Sequence, residues 1–91
     1  MPHVNFTRHL QTFFPTLKPA EEVAGATVGE VIAELERRYP GFALYVADET
    51  GRLRRHVNVF VRGEPICDRD ALGDKVSPGD EVFILQALSG G

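Results

Sequence analysis

The chain has 91 residues, a mass of 10.1 kDa and a formal net charge of −3 at pH 7, which predicts one small domain over residues 1–91. Without a basic excess to neutralise phosphates, nucleic acid is excluded as a partner. One cysteine excludes an internal disulfide, and neither a signal peptide nor an apolar run of roughly 20 residues is present, so we expect a cytoplasmic protein without membrane contact.

The N-terminal quarter predicts a hairpin. Residues 3–8 alternate apolar and polar side chains, which is the period of a half-buried strand. Residues 10–19 contain Phe13, Phe14 and two prolines and are predicted to form an irregular loop. Residues 21–24 supply a short second strand.

The clearest predicted element is a helix that begins at Thr27. The run Thr27-Val28-Gly29-Glu30 has the S/T-x-x-E form of a capping box. An apolar stripe follows at spacings of three and four residues: Val28, Val31, Ile32, Leu35 and Tyr39. Pro40-Gly41 ends the helix. Beyond it, residues 42–46 form a short apolar stretch and residues 48–51 a turn.

Two later segments predict strands with apolar side chains on both faces. In residues 57–62 the three valines face one way, and Phe60 faces the other. In residues 82–85, Val82 and Ile84 oppose Phe83 and Leu85. A sheet packed on a helix should have a polar outer face, so Phe60, Phe83 and Leu85 are unusual there. Turns are expected at residues 63–65 and 77–80.

The element order is strand, strand, helix, strand, loop, strand. It predicts the α+β class: a mixed sheet of four to five strands packed on one main helix, with the first and last strands adjacent and parallel. This is the β-grasp arrangement.

The sequence closes on Ser89-Gly90-Gly91, which we expect to be the true carboxyl terminus of a flexible tail over residues 87–91. Two glycines remove the side chains and free the backbone, so the tail can thread a narrow channel and present a carboxylate inside a partner. The alternative is a frayed chain end with no such role.

The runs His56–Val61, Gly63-Glu64, Pro78–Val82 and Ser89–Gly91 resemble the ubiquitin-like sulfur carriers of the MoaD/ThiS family. That family includes the small subunit of molybdopterin synthase and the sulfur carrier of the thiamine pathway. The resemblance implies that Gly91 is adenylated by a ubiquitin-activating-like adenylyltransferase/sulfurtransferase that uses ATP and a sulfur donor. It then carries a thiocarboxylate to a sulfur-accepting synthase, with Ser89 and Gly90 in the partner's channel.

By the same resemblance the chain is a carrier substrate and not an enzyme. Phe60, Phe83 and Leu85 become candidates for partner docking, because partner surfaces are rich in exposed aromatic and aliphatic side chains. The alternative is that the loop over residues 10–19 covers one or more of them. No bound cofactor is expected, and the three scattered histidines lack the spacing of metal ligands.

Two other functions remain open. The same Gly-Gly end could form an isopeptide bond with lysines of target proteins, as ubiquitin does. The domain could also be a plain interaction module with an incidental tail.

Overall fold

The computed structural model describes residues 1–86, apart from the side chain of His9; the predicted tail over residues 87–91 lies outside this part. The described residues form five strands and three helices. In chain order they are β1 (His3–Phe6), α1 (Arg8–Phe13), β2 (Ala20–Glu22), α2 (Val28–Arg38), α3 (Phe42–Val46), β3 (Val57–Val61), β4 (Glu64–Pro65) and β5 (Glu81–Gln86).

The strands form a single mixed sheet in the order β2-β1-β5-β3-β4. β1 and β5 are parallel, with Val4 beside Val82 and Phe6 beside Ile84. The other neighbours are antiparallel. β5 therefore lies at the centre, and the predicted β-grasp arrangement with adjacent, parallel first and last strands is confirmed.

α2 is the main helix and begins as predicted. The Thr27 hydroxyl accepts a hydrogen bond from the backbone N–H of Glu30 (3.1 Å). The Glu30 carboxylate in turn accepts from the N–H of Ala26 (3.0 Å), one residue before the cap. Both bonds satisfy donors that a helix start leaves free.

The core lies between α2 and one face of the sheet. The predicted inward residues are buried: the three valines of β3, Val82 and Ile84 of β5, and four positions of the α2 stripe. Tyr39 packs against this core from the C-terminal end of α2. These contacts confirm the two periodicities that the sequence shows.

The prediction of an irregular loop over residues 10–19 is wrong at its start, because α1 occupies Arg8–Phe13. Leu10 and Leu17 are buried in the core, and the Phe14 ring contacts that of Phe42 at a centroid distance of 5.5 Å. The apolar positions 10, 13, 14 and 17 have helical spacing. Pro15 then prevents the helix from continuing.

The apolar stretch at residues 42–46 is a helix, α3, which is missing from the element order predicted from the sequence. Its start is held by Glu36 of α2, whose carboxylate accepts hydrogen bonds from the N–H groups of Ala43 (2.8 Å) and Gly41 (3.1 Å). These backbone donors lower the pKa of Glu36 below its ordinary value.

The turn predicted at residues 63–65 lies one residue earlier. Arg62 and Gly63 have φ angles of 53° and 82°, the two positive values of a type I′ hairpin turn. Glu64 and Pro65 are therefore free to pair with β3 as the short strand β4.

Candidate functional site

The candidate site is built around β5, which ends at Gln86 beside Val57 of β3. Val82 and Ile84 are fully buried in the core, and β5 is paired with β1 on one side and with β3 on the other. Gln86, the last residue that the structure describes, thus belongs to the central strand of the sheet.

The outer face of the sheet, opposite α2, carries a cluster of apolar side chains that we call the outer patch: Phe60, Pro65, Phe83 and Leu85. Phe83 lies directly opposite Phe60, and Phe60 directly opposite Pro65. Phe83 is 39% exposed, while Phe60 and Leu85 are half-buried. Pro65, Phe60 and Phe83 thus lie side by side on three neighbouring strands, and Leu85 follows Phe83 on the same face of β5.

Polar groups frame the outer patch. Asn5 lies beside Phe83, and its side-chain amide donates a hydrogen bond to the Glu81 carboxylate (2.8 Å). Arg62 forms an ion pair with Asp80, which also accepts from the N–H of Ser77 (2.7 Å). An apolar centre with a polar rim is the anatomy of a protein–protein contact surface.

The segment 10–19 leaves Phe83 exposed, so the alternative does not hold for this residue, whereas it stays untested for the half-buried Phe60 and Leu85. Leu10 and Leu17 point into the core, and Phe14 packs on the rings of Phe42 and Tyr45. Phe83 remains exposed.

The predicted site residues divide into two groups. The outward orientation of Phe60, Phe83 and Leu85 is confirmed, and the structure brings them together; their docking role stays a prediction. Ser89, Gly90 and Gly91 lie outside the described residues. The sequence did not reveal Pro65 as a fourth member, because it predicted a turn at residues 63–65; the observed turn at Arg62 and Gly63 places Pro65 opposite Phe60.

Other chemistry is sparse in the part of the chain that the structure describes. Cys67 is exposed, and its backbone N–H donates to the Asp74 carboxylate (3.0 Å). Over residues 1–86 we find no group of three histidine, cysteine, aspartate or glutamate side chains able to hold a metal ion. Nor does any described helix have the length and apolar character needed to cross a membrane.

Comparison with known proteins places these features in a family. The sequence profile of the ThiS family matches residues 4–91. The sulfur carrier protein CysO of Mycobacterium tuberculosis is 37% identical over 70 residues, which cover 75% of each chain. Small archaeal modifier protein 3 of Haloferax volcanii is 33% identical over 66 residues, which cover 72% of this chain and 71% of the relative.

A solved structure supports the same assignment. A chain of the crystal structure of the Amycolatopsis orientalis BexX/CysO complex superposes with a TM-score of 0.85 at 32% identity, over the full length of both chains. With the profile match over residues 4–91, this likeness shows that the chain belongs to the ThiS family of ubiquitin-like β-grasp proteins.

Proposed function

We propose that this chain is a sulfur carrier protein. An activating enzyme related to ubiquitin-activating enzymes adenylates the Gly91 carboxylate, which then becomes a thiocarboxylate. The sulfur is donated in the biosynthesis of a cofactor, cysteine or a thio-metabolite. The observation that carries this proposal is the ThiS-family match over residues 4–91, which includes both terminal glycines.

The position of β5 supports the proposal. Five residues follow Gln86 in the sequence, and an extended chain of that length reaches at most about 17 Å. Because β5 is central and fixed, a partner that binds the outer patch receives the tail from a constant position. Pre-organisation of this kind lowers the entropy cost of placing a reactive group.

The proposed chemistry has two steps. A carboxylate oxygen of Gly91 attacks the α-phosphorus of ATP, pyrophosphate leaves, and a mixed anhydride with AMP forms. Hydrosulfide supplied by the donor then attacks the acyl carbon, AMP leaves with the original oxygen, and loss of the sulfur-bound proton gives the thiocarboxylate. Because glycine has no side chain, the acyl carbon of Gly91 is accessible to the activating enzyme and to the sulfur donor.

In this account the chain is a substrate and its partners are the catalysts. Ser89 and Gly90 lie in the partner's channel, and Phe60, Phe83 and Leu85 dock against its surface. ATP and the sulfur donor bind to the activating enzyme, and no cofactor resides on the carrier. A downstream synthase in the same cytoplasmic compartment accepts the sulfur, and that enzyme determines the pathway.

A second function has specific support from the likeness to small archaeal modifier protein 3. Conjugation would join the Gly91 carbonyl to a lysine amine of a target protein, after the same adenylation. Ladders of higher mass in cell lysate, lost when residues 90 and 91 are deleted, distinguish this function from sulfur transfer.

ATP–pyrophosphate exchange by the activating enzyme tests the shared first step. We expect exchange with the wild-type chain and none with a variant that lacks Gly90 and Gly91. Cys67→Ser is the matched control, because Cys67 is exposed and distant in sequence from the tail; it should support exchange at the wild-type rate. Exchange that survives the deletion would show that Gly91 is not the adenylated group.

A further inference from the structure

An open cleft of about 600 Å³ lies where the chain enters β3. Four arginines dominate its lining, together with one histidine, one leucine and two aspartates: Arg52, Arg54, Arg55, Arg69, His56, Leu53, Asp48 and Asp70. We call its arginines and His56 the basic cluster. Four of these five residues lie close together in the sequence, at positions 52 and 54–56, and Arg69 lies apart from them.

The net charge of the cleft is opposite in sign to the net charge of the whole chain. Four of the ten basic residues and two of the thirteen acidic ones line it, so with neutral histidine it carries +2, whereas the remaining residues carry −5. A local excess of one sign on a body of the opposite sign creates a directed field. Such a field orients an approaching charged surface.

The basic cluster lies beside Gln86, the last residue that the structure describes. His56 immediately precedes Val57, and Val57 is paired with Gln86, the last residue of β5. Arg69 approaches Asn58, which is paired with Leu85 of the outer patch. The cluster therefore lies near Leu85 of the outer patch and beside Gln86, the last residue that the structure describes.

Several arginines of the basic cluster also make hydrogen bonds or ion pairs within the fold. Arg69 donates to the backbone carbonyls of Arg54 (2.7 Å) and Val57 (2.8 Å), at the end of β3 that β4 does not cover. Arg52 pairs with Asp70 (2.9 Å). Arg55 is exposed and makes no hydrogen bond or ion pair to any residue that the structure describes, so its charge is free.

From this arrangement we infer that the basic cluster docks an acidic protein surface of the enzyme that receives Gly91, with Arg55 as the free charge. The inference rests on the proposed function, since it concerns the partner of the same tail. The outer patch supplies apolar contact, and the cluster sets the orientation and speed of encounter. Charged rims act chiefly on association rates and on partner choice.

A protein surface fits the cleft better than a nucleotide phosphate does. Two aspartates lie among the arginines, which disfavours a compact polyanion but suits a broad surface of mixed polarity. The arginines Arg54 and Arg69 already donate to backbone carbonyls. The cleft also lacks the glycine-rich loop of backbone N–H groups that cradles phosphates.

The test measures the KM for the carrier in ATP–pyrophosphate exchange at low and high salt. Arg55→Glu should raise KM about three- to tenfold at low salt and flatten its salt dependence, with kcat unchanged, because steering acts on encounter and not on chemistry. Arg55→Lys keeps the charge and should behave as wild type. Arg37→Glu is the control: it makes the same charge change on α2, where Arg37 is 76% exposed, and should leave KM within about twofold.

Each outcome has one meaning. Equal KM values and equal salt slopes for wild type and Arg55→Glu would overturn the inference and leave the proposed function intact. A wild-type chain that supports no exchange would contradict the proposed function itself, and the inference with it. Calorimetric titration of the isolated chain with ATP should show no binding; binding that Arg55→Glu abolishes would assign the cluster to a phosphate group instead.

Discussion

Phe83 and Ile84 are neighbours in β5, but their surroundings are opposite. Ile84 is fully buried in the core on one face of the sheet, whereas Phe83 is 39% exposed on the other face, in the outer patch. The alternation of a strand therefore assigns one residue to stability and the next to contact with a partner.

Substitution of these two residues should separate stability from activation. Ile84→Ala removes fully buried methylenes and should lower the free energy of unfolding by about 2–5 kcal/mol. Phe83→Ala should change stability far less. It should raise the KM for the carrier in ATP–pyrophosphate exchange about fivefold to tenfold, as expected when a partner loses an aromatic anchor.

Urea unfolding and exchange kinetics on the same two preparations make the comparison. If Phe83→Ala leaves KM unchanged while the protein stays folded, Phe83 does not take part in docking.

At the scale of elements, the corner between α2 and α3 depends on one carboxylate. Glu36 accepts from the N–H groups at the start of α3, and Pro40-Gly41 in between leaves α3 without a capping side chain of its own. The backbone donors of Ala43 and then Gly41 lower the pKa of Glu36. Glu36 therefore stabilises the fold above its ordinary pKa of 4.5, and this contribution is lost as the pH falls through the lowered folded-state value.

Glu36→Ala should lower the thermal unfolding midpoint at pH 7, although alanine is the better helix former. The difference from wild type should shrink as the pH drops below 4.5, because the wild-type carboxylate is then protonated too. Glu49→Ala is the control, since Glu49 is exposed and has no hydrogen bond to the described residues. A midpoint difference that stays constant from pH 7 to pH 3 would show that the carboxylate charge is not involved.

The sequence predicted the longer elements, which have a strict hydrophobic period, and it did not predict the short helices. The stripe of α2, its capping box and the alternation of β3 and β5 were readable because burial acts on one face of each. α3 has five residues and an apolar run that fits a buried strand or a buried helix equally well. The Glu36 carboxylate accepts from Gly41 and Ala43 at the start of α3, a contact that the apolar run itself does not reveal.

The candidate site also has a part that the sequence predicted and a part that it did not. Phe60, Phe83 and Leu85 followed from period two alone, but Pro65 joined them only once the hairpin turn was placed. The basic cluster could not be related to the tail without the register that sets Val57 beside Gln86.

On the scale of the whole molecule, two features lie at the same end of the sheet: β5 ends there beside Val57, and the basic cluster lies around the start of β3. The outer patch extends from Leu85, near that end, to Phe83, Phe60 and Pro65 toward the opposite end. Stability comes from the opposite face, where α2 covers the core. A small domain can thus combine a rigid body with one surface that is adapted to partners.

The most direct test of the account is the intact mass of the carrier after incubation with the activating enzyme, ATP and sulfide. We predict a gain equal to the exchange of one oxygen atom for sulfur. That gain should be located by fragmentation at Gly91 and be absent when ATP is omitted. An unchanged mass with an enzyme that performs ATP–pyrophosphate exchange on this chain would contradict sulfur carriage and leave protein modification as the function.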